Sequence, residues 1–287
     1  MNIKPAAIVI LLFASDFVGA APYLLSSAAV DPKTSAQNSN FQQATAGPTD
    51  SGLVTATGPG FSGSARAVTD FGMLKNFATA TLSGYNSGTY GFDDAARADS
   101  TVSDYLTITG GAGTGYLKLV FDVTGSTSLS GDLALLDGPV AQGTLAVFAK
   151  AFPEETPLGS PVSSWGFTGP TTLTSALIPF QYGVAFGLTL TSSAFVSPSD
   201  IGGLYAYDFS GTADFGSTID LTQLFVYSDP GGTHQENFSV LAGSGTDYPE
   251  ASALPTTIPE PTSLMLVSIA FLGLGAVRAR VGARLAH

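Results

Sequence analysis

One histidine, His234 in the stretch DPGGTHQENF, lies in the body of this chain, and the other is His287. A Ser-His-Asp arrangement would have to use His234, yet no Gly-x-Ser-x-Gly elbow offers it a nucleophile on a sharp turn. A single imidazole cannot build a multi-histidine zinc site. With no cysteine among 287 residues there is no thiolate nucleophile, thiolate ligand or disulfide. His234 follows the turn signal Asp229-Pro230-Gly231-Gly232 and reads as a solvated loop residue.

Carboxylates are the next candidates. Glycoside hydrolysis needs an acid and a base or nucleophile held across one bond. Asp93-Asp94, Asp99, Asp104 and Glu154-Glu155 are the acidic residues to consider. Neighbours on a strand point to opposite faces, so neither sequential pair is itself a catalytic pair. Glu154-Glu155 lies between Pro153 and Pro157 and reads as a loop. The plain reading of all of them is solvated turn carboxylates. Loop aspartates in GFDDAARADSTVSD and DFSGTADFGSTID have the hard oxygens a structural calcium takes, without EF-hand or nonapeptide-repeat spacing. No other cofactor is expected, and no enzyme activity.

Sugar binding would call for exposed aromatic side chains. Trp165, in PVSSWGFTGP, is the only tryptophan. It has two readings, a stacking platform for a ligand or a plug at the end of a core, and the second is favoured. Tyr205 and Tyr207, two apart in LYAYDF, invite the same pair of readings. Asn237-Phe238-Ser239 has the form of a glycosylation sequon, which has meaning only on a eukaryotic secretory route.

The composition limits what elements can position these residues. Only 11% of residues are charged, against roughly 25% in an average soluble domain, while Gly reaches 34 and Pro 17. Such a mixture suits short strands joined by many turns. Formal net charge is −12. Between Ala21 and Ile258 six basic and twenty acidic residues leave −14. That surface repels a polyanion, so nucleic acid is excluded as a partner.

Period-two alternation is the strongest structural signal. In FQYGVAFGLTLT the residues Phe180, Tyr182, Val184, Phe186, Leu188 and Leu190 alternate with small or polar ones, which predicts one half-buried strand. YLKLVFDVTG places Leu117, Leu119, Phe121 and Val123 on one face, and LAVFAK and TIDLTQLFVYS repeat the pattern. MLKNFATATL comes nearest to a helical period, but alternation explains it equally well. Many short strands between turn signals predict an all-β fold, an antiparallel β-sandwich of jelly-roll character. Its expected extent is 52–245, after a loosely ordered lead-in over 21–51 with one strand around Phe41, and before a spacer over 246–257.

The two ends read as addresses. Residues 1–20 have Lys4, an apolar stretch from Pro5 to Phe13 and the small residues Val18-Gly19-Ala20, the order of a signal peptide cleaved between Ala20 and Ala21. Ser26-Ser27-Ala28 is a later alternative. At the other end, Pro259-Glu260-Pro261 precedes sixteen uncharged residues, 262–277, and then Arg278, Arg280 and Arg284. As a helix that run covers roughly 24 Å, enough to cross a locally thinned bilayer. The arginines favour the cytoplasmic side and leave the body outside.

The ordered set IPEP, TSLMLVSIAFLGLGAV and RARVGAR resembles the PEP-CTERM sorting signal of Gram-negative bacteria. The resemblance covers 258–287 and implies recognition of Pro259, Glu260 and Pro261 by an exosortase, a membrane-embedded cysteine peptidase. It implies a transient inner-membrane anchor through helix 262–277, and a final place on the outer surface or in the extracellular matrix. A structural or adhesive role with exopolysaccharide follows from the same resemblance. The alternative is a carbohydrate-binding module or glycoside-active enzyme on the same sandwich.

Overall fold

The computed structural model describes residues 21–31, 38–45, 47–58, 60–85, 95–133, 139–151, 160–198, 207–233, 235 and 237–249. Everything described lies in one compact unit. In chain order its strands are β1 (Tyr23–Asp31), β2 (Asn38–Ala44), β3 (Thr49–Asp50), β4 (Val54–Gly58) and β5 (Phe61–Asp70). Then come β6 (Met73–Tyr85), β7 (Ala95–Thr109), β8 (Thr114–Gly131), β9 (Val140–Ala151) and β10 (Ser163–Phe167). The last are β11 (Thr171–Thr174), β12 (Ile178–Gln181), β13 (Phe186–Ser197), β14 (Tyr207–Tyr227) and β15 (Ser239–Ala242). The fold is all-β, and every pairing is antiparallel. Among the described residues no helix is long and apolar enough to cross a membrane.

Two sheets share the core. The first runs β10-β9-β13-β7-β1-β2, with β15 continuing the line of β1 along β7. The second runs β11-β8-β14-β6-β5-β3, with β12 also on β8 and β4 also on β5. Strands β13 and β14 fill slots between β7 and β9 and between β6 and β8, so the first sheet becomes continuous only with residues 186–197 and the second only with residues 207–227. Alternation does what elementary geometry requires: Leu117, Leu119, Phe121 and Val123 of β8 are all buried. Midway along β6 and β14 four facing inward positions are small, Ala78, Ala80, Gly211 and Ala213, which lets the sheets approach closely there. A Cβ at Gly63 would sit 2.8 Å from Val30 of the other sheet, and one at Gly211 2.6 Å from Val196.

Polar groups also cross this interior. Asn76 on β6 donates from Nδ2 to Ser192 Oγ on β13 at 2.9 Å and accepts from Ser100 Oγ on β7 at 2.7 Å. Ser26 on β1 meets the hydroxyls of Thr49 (2.7 Å) and Thr69 (2.8 Å), which belong to the other sheet. Each is buried and bonded, as buried polar groups must be.

Three expectations are corrected. FQYGVAFGLTLT is not one strand: β12 ends at Gln181, Gly183 takes φ 74°, and β13 begins at Phe186 in the other sheet. The alternation resumes in phase after the turn, which hides the break, while Val184 is 44% exposed. The lead-in over 21–51 is not loosely ordered, because it supplies β1, β2 and β3, and β1 lies between β7 and β2 with Leu24 and Val30 fully buried. Nor does the body stop at residue 245. Tyr248 is 4% exposed, and the Leu224 amide donates to the Pro249 carbonyl at 3.0 Å.

Candidate functional site

The two acidic candidates among the described residues, Asp99 and Asp104, lie on opposite faces of β7 and do not converge. Asp104 occupies an inward position of β7 and is 1% exposed. It accepts from Ser244 Oγ (2.6 Å), Tyr248 Oη (2.8 Å), the Tyr105 amide (2.8 Å) and the Ser244 amide (3.0 Å). Four donors leave it a structural acceptor that fastens residues 244–248 to β7. Burial, and next the Asp104 carboxylate, push the Tyr248 phenol far above its usual value. Asp99, on the outward side of β7, is held by Arg97 Nε at 2.7 Å and by Ser193 Oγ at 2.6 Å. Asp93, Asp94, Glu154, Glu155, His234 and His287 lie outside the described residues. Among the described residues no three His, Asp or Glu side chains gather as a metal site.

Trp165 is half-buried in β10, its ring 6.3 Å from that of Phe121 at 59°, packed against the core. Tyr205 lies outside the described residues, and Tyr207 is described only as the start of β14 opposite Tyr85. Ala21 is exposed at the first described position. Ala20, Pro259, Glu260, Pro261, the run 262–277, Arg278, Arg280 and Arg284 lie outside.

A concave site does exist, where no motif pointed. The outer side of the second sheet has an open groove of about 670 Å³, lined by Leu53, Arg66, Val68, Lys75, Phe77 and Asp214. Its cause is a bulge. Strand β14 passes from Phe215 to Ile219 while β6 passes only from Asn76 to Leu74, so the segment around Gly216 arches away from its neighbours. On the β8 side the arch requires a glycine: Gly125 takes φ 134°, and a Cβ there would lie 2.3 Å from the Asp214 carbonyl. Arg66 is engaged by Asp50, through Nε at 3.0 Å and a second contact from Nη2. That guanidinium holds the Asp50 carboxyl below the usual carboxylate range.

Beside the groove the same face presents hydroxyls in register. Thr55, Ser64, Thr79, Thr212 and Ser128 form one row across β4, β5, β6, β14 and β8. Thr57, Ser62, Thr81, Ser210 and Ser130 form a second row two residues along. Ser64 and Thr79 share a hydrogen bond of 2.8 Å, and Ser62 bonds Thr81. Arg66, Phe77, Asp214 and Ser126 continue the pattern as a third row that enters the groove. The signal was visible as five Ser/Thr-x-Ser/Thr repeats, at 55–57, 62–64, 79–81, 128–130 and 210–212. Nothing in any one repeat says that the five lie side by side.

No family model matches this chain, and neither a curated protein nor a solved structure matches it.

Proposed function

We propose that this chain is an exported, acidic protein of the cell surface or extracellular matrix, sorted through a PEP-CTERM signal and serving a structural or adhesive role with exopolysaccharide. The observation that carries the reading is the ordered tail, Pro259-Glu260-Pro261, then the uncharged run 262–277, then Arg278, Arg280 and Arg284. In this reading the helix over 262–277 holds the triplet at the outer membrane face, and the arginines fix its orientation. An exosortase-type peptidase recognises Pro259, Glu260 and Pro261 there, and residues 1–20 have already directed export and been removed before Ala21.

The body is read as a β-sandwich whose two sheets leave their outer sides to the surroundings. A surface at −14 in a chain with 11% charged residues suits a hydrated matrix better than it suits a polyanionic partner. The groove at Phe77 favours one second reading, the carbohydrate-binding module.

Intact mass of the protein recovered from envelope and medium of its host tests the sorting. The expected species begins at Ala21 and ends near Pro261, with or without an added mass. A mature species that retains Leu264 to His287 would overturn the exosortase reading and make the tail a permanent anchor.

A further inference from the structure

We propose that the outer face of the second sheet, with the groove at Phe77 as its anchor and the hydroxyl rows as its track, binds an uncharged polysaccharide chain laid across the strands. This rests on the exopolysaccharide reading above and names the surface and the sugar class.

A sugar ring has one demand that water does not satisfy, an apolar surface for its C–H face. Phe77 supplies the ring, with Val68 beside it and Leu53 at the rim, 62% exposed. Lys75 and Asp214 offer a donor and an acceptor to the hydroxyls at the ring's edge. From that anchor the rows extend with a step of about 4.8 Å, the spacing between strands. An extended hexose chain advances one residue over a similar length, so successive sugars meet successive strands. Ser and Thr hydroxyls both donate and accept, which suits a ligand made of hydroxyls. A twisted sheet turns the rows progressively. A soluble chain follows such a turn through its glycosidic bonds, whereas a flat crystal face cannot.

Charge selects among polysaccharides. Arg66 is neutralised by Asp50, Lys75 and Asp214 bring one charge of each sign to the groove, and the two rows of five hydroxyls have no charge. Around the groove and rows the chain from 21 to 258 stands at −14, with Asp122 and Asp220 side by side farther along the same sheet. A polyuronate meets that repulsion, and a polycation is drawn to the acidic remainder of the surface instead. The neutral chain is the complement of the face.

The test is affinity electrophoresis of the full-length protein through gels holding hydroxyethylcellulose, alginate or no polymer. Retardation by the neutral glucan and none by alginate is expected. Phe77→Ala should weaken it at least tenfold. The double variant Thr79→Val, Thr212→Val, which keeps the shape and strand preference of each residue, should weaken it three- to tenfold without changing thermal unfolding. Thr101→Val, on the outer side of the first sheet, should leave it unchanged. Stronger retention by alginate would overturn the neutral assignment, and retention that survives both Phe77→Ala and the double valine variant would overturn the surface. Failure to bind glucan while the protein still fractionates with the host matrix would sink this inference alone. Absence from the matrix fraction, with or without glucan binding in the gel, would sink the functional reading on which it rests.

Discussion

The phenol of Tyr248 donates to Oδ2 of Asp104 across 2.8 Å, joining the last described turn of the body to an inward position on β7, 144 residues away in the chain. The same carboxylate takes two further bonds from Ser244. This joint holds residues 244–248 against the sheet that β15 has just joined. Removing the acceptor leaves the buried Tyr248 hydroxyl and three part-buried donors without this partner, so Asp104→Ala should cost about 3 kcal/mol in urea denaturation. Tyr248→Phe removes a single bond and should cost about 1–2 kcal/mol. Equal costs for the two would refute the picture of a shared acceptor.

The joint also sets a pH dependence. In the unfolded chain Tyr248 ionises near 10.0, whereas in the fold burial and the Asp104 carboxylate keep it protonated well beyond that. A raised value means that the stabilisation is fully present below pH 10 and is lost as pH rises from there towards the folded value. Alkaline unfolding should therefore steepen above pH 10, and Tyr248→Phe should flatten the slope. Burial also raises Tyr23, Tyr105 and Tyr182, so part of the slope must survive the substitution. A slope identical in the wild type and Tyr248→Phe would count against the assignment.

Asn76 belongs to the other kind of buried group, a neutral one on the second sheet whose two partners, Ser192 and Ser100, both lie in the first. Asn76→Ala strands Ser192 and weakens Ser100 while opening a small void, for an expected loss of about 2–4 kcal/mol. Replacing all three, as Asn76→Leu with Ser100→Ala and Ser192→Ala, should recover at least half of it, because the stranded hydroxyls are then gone. Denaturant midpoints decide, and a triple variant no better than Asn76→Ala would mean that the network has a value of its own.

Two glycines on neighbouring strands should respond in opposite ways. A Cβ at Gly143 would lie 2.1 Å from Phe167 and 2.6 Å from Phe215, whose rings meet edge to face at 4.8 Å. Gly143→Ala must therefore push one ring out of place, at about 2–3 kcal/mol. At Gly166 the nearest atom to a new Cβ is 4.0 Å away, and Gly166→Ala should be neutral or slightly stabilising through the unfolded state. Thermal melts of the two variants side by side check both halves.

What the sequence made legible was whatever a single strand can encode. The inward face of β8 follows from alternation, since period two is a property of the strand itself, whereas Met73 to Leu82, which fits a helical period equally well, is part of β6. TIDLTQLFVYS also reads as a strand, but its inward residues change phase between Leu221 and Leu224, where the register slips against β8. Partnership between strands is what stayed hidden. Local pattern could not tell that β12 and β13 belong to different sheets, because the turn at Gly183 restores the phase. Composition made the stretch before Ser51 look unstructured, although β1 gains its order from neighbours on β7 and β2. The groove is a matter of partnership too: Arg66, Phe77 and Asp214 come from three strands, and only register brings them into one row.

The place of β1 gives the two ways of reading the N-terminus different consequences. Cleavage before Ala21 keeps all of Tyr23–Asp31. Cleavage after Ala28 would remove Leu24, Ser26 and Ala28, all at most 2% exposed, and would take away most of the strand that joins β2 to β7. Thr49 and Thr69 would lose the hydroxyl that joins them, and the Thr69 bond to the Leu25 carbonyl would go as well. Burial of one leucine is worth about 2 kcal/mol, and the unpaired backbone edges of β7 and β2 add to the deficit. The loss is comparable to the whole stability of many domains, about 5–15 kcal/mol. Chains that begin at Ala21 should therefore unfold in one cooperative transition, and chains that begin at Ala29 should show none. If both melt alike in differential scanning calorimetry, β1 is dispensable and the later cleavage site is open again.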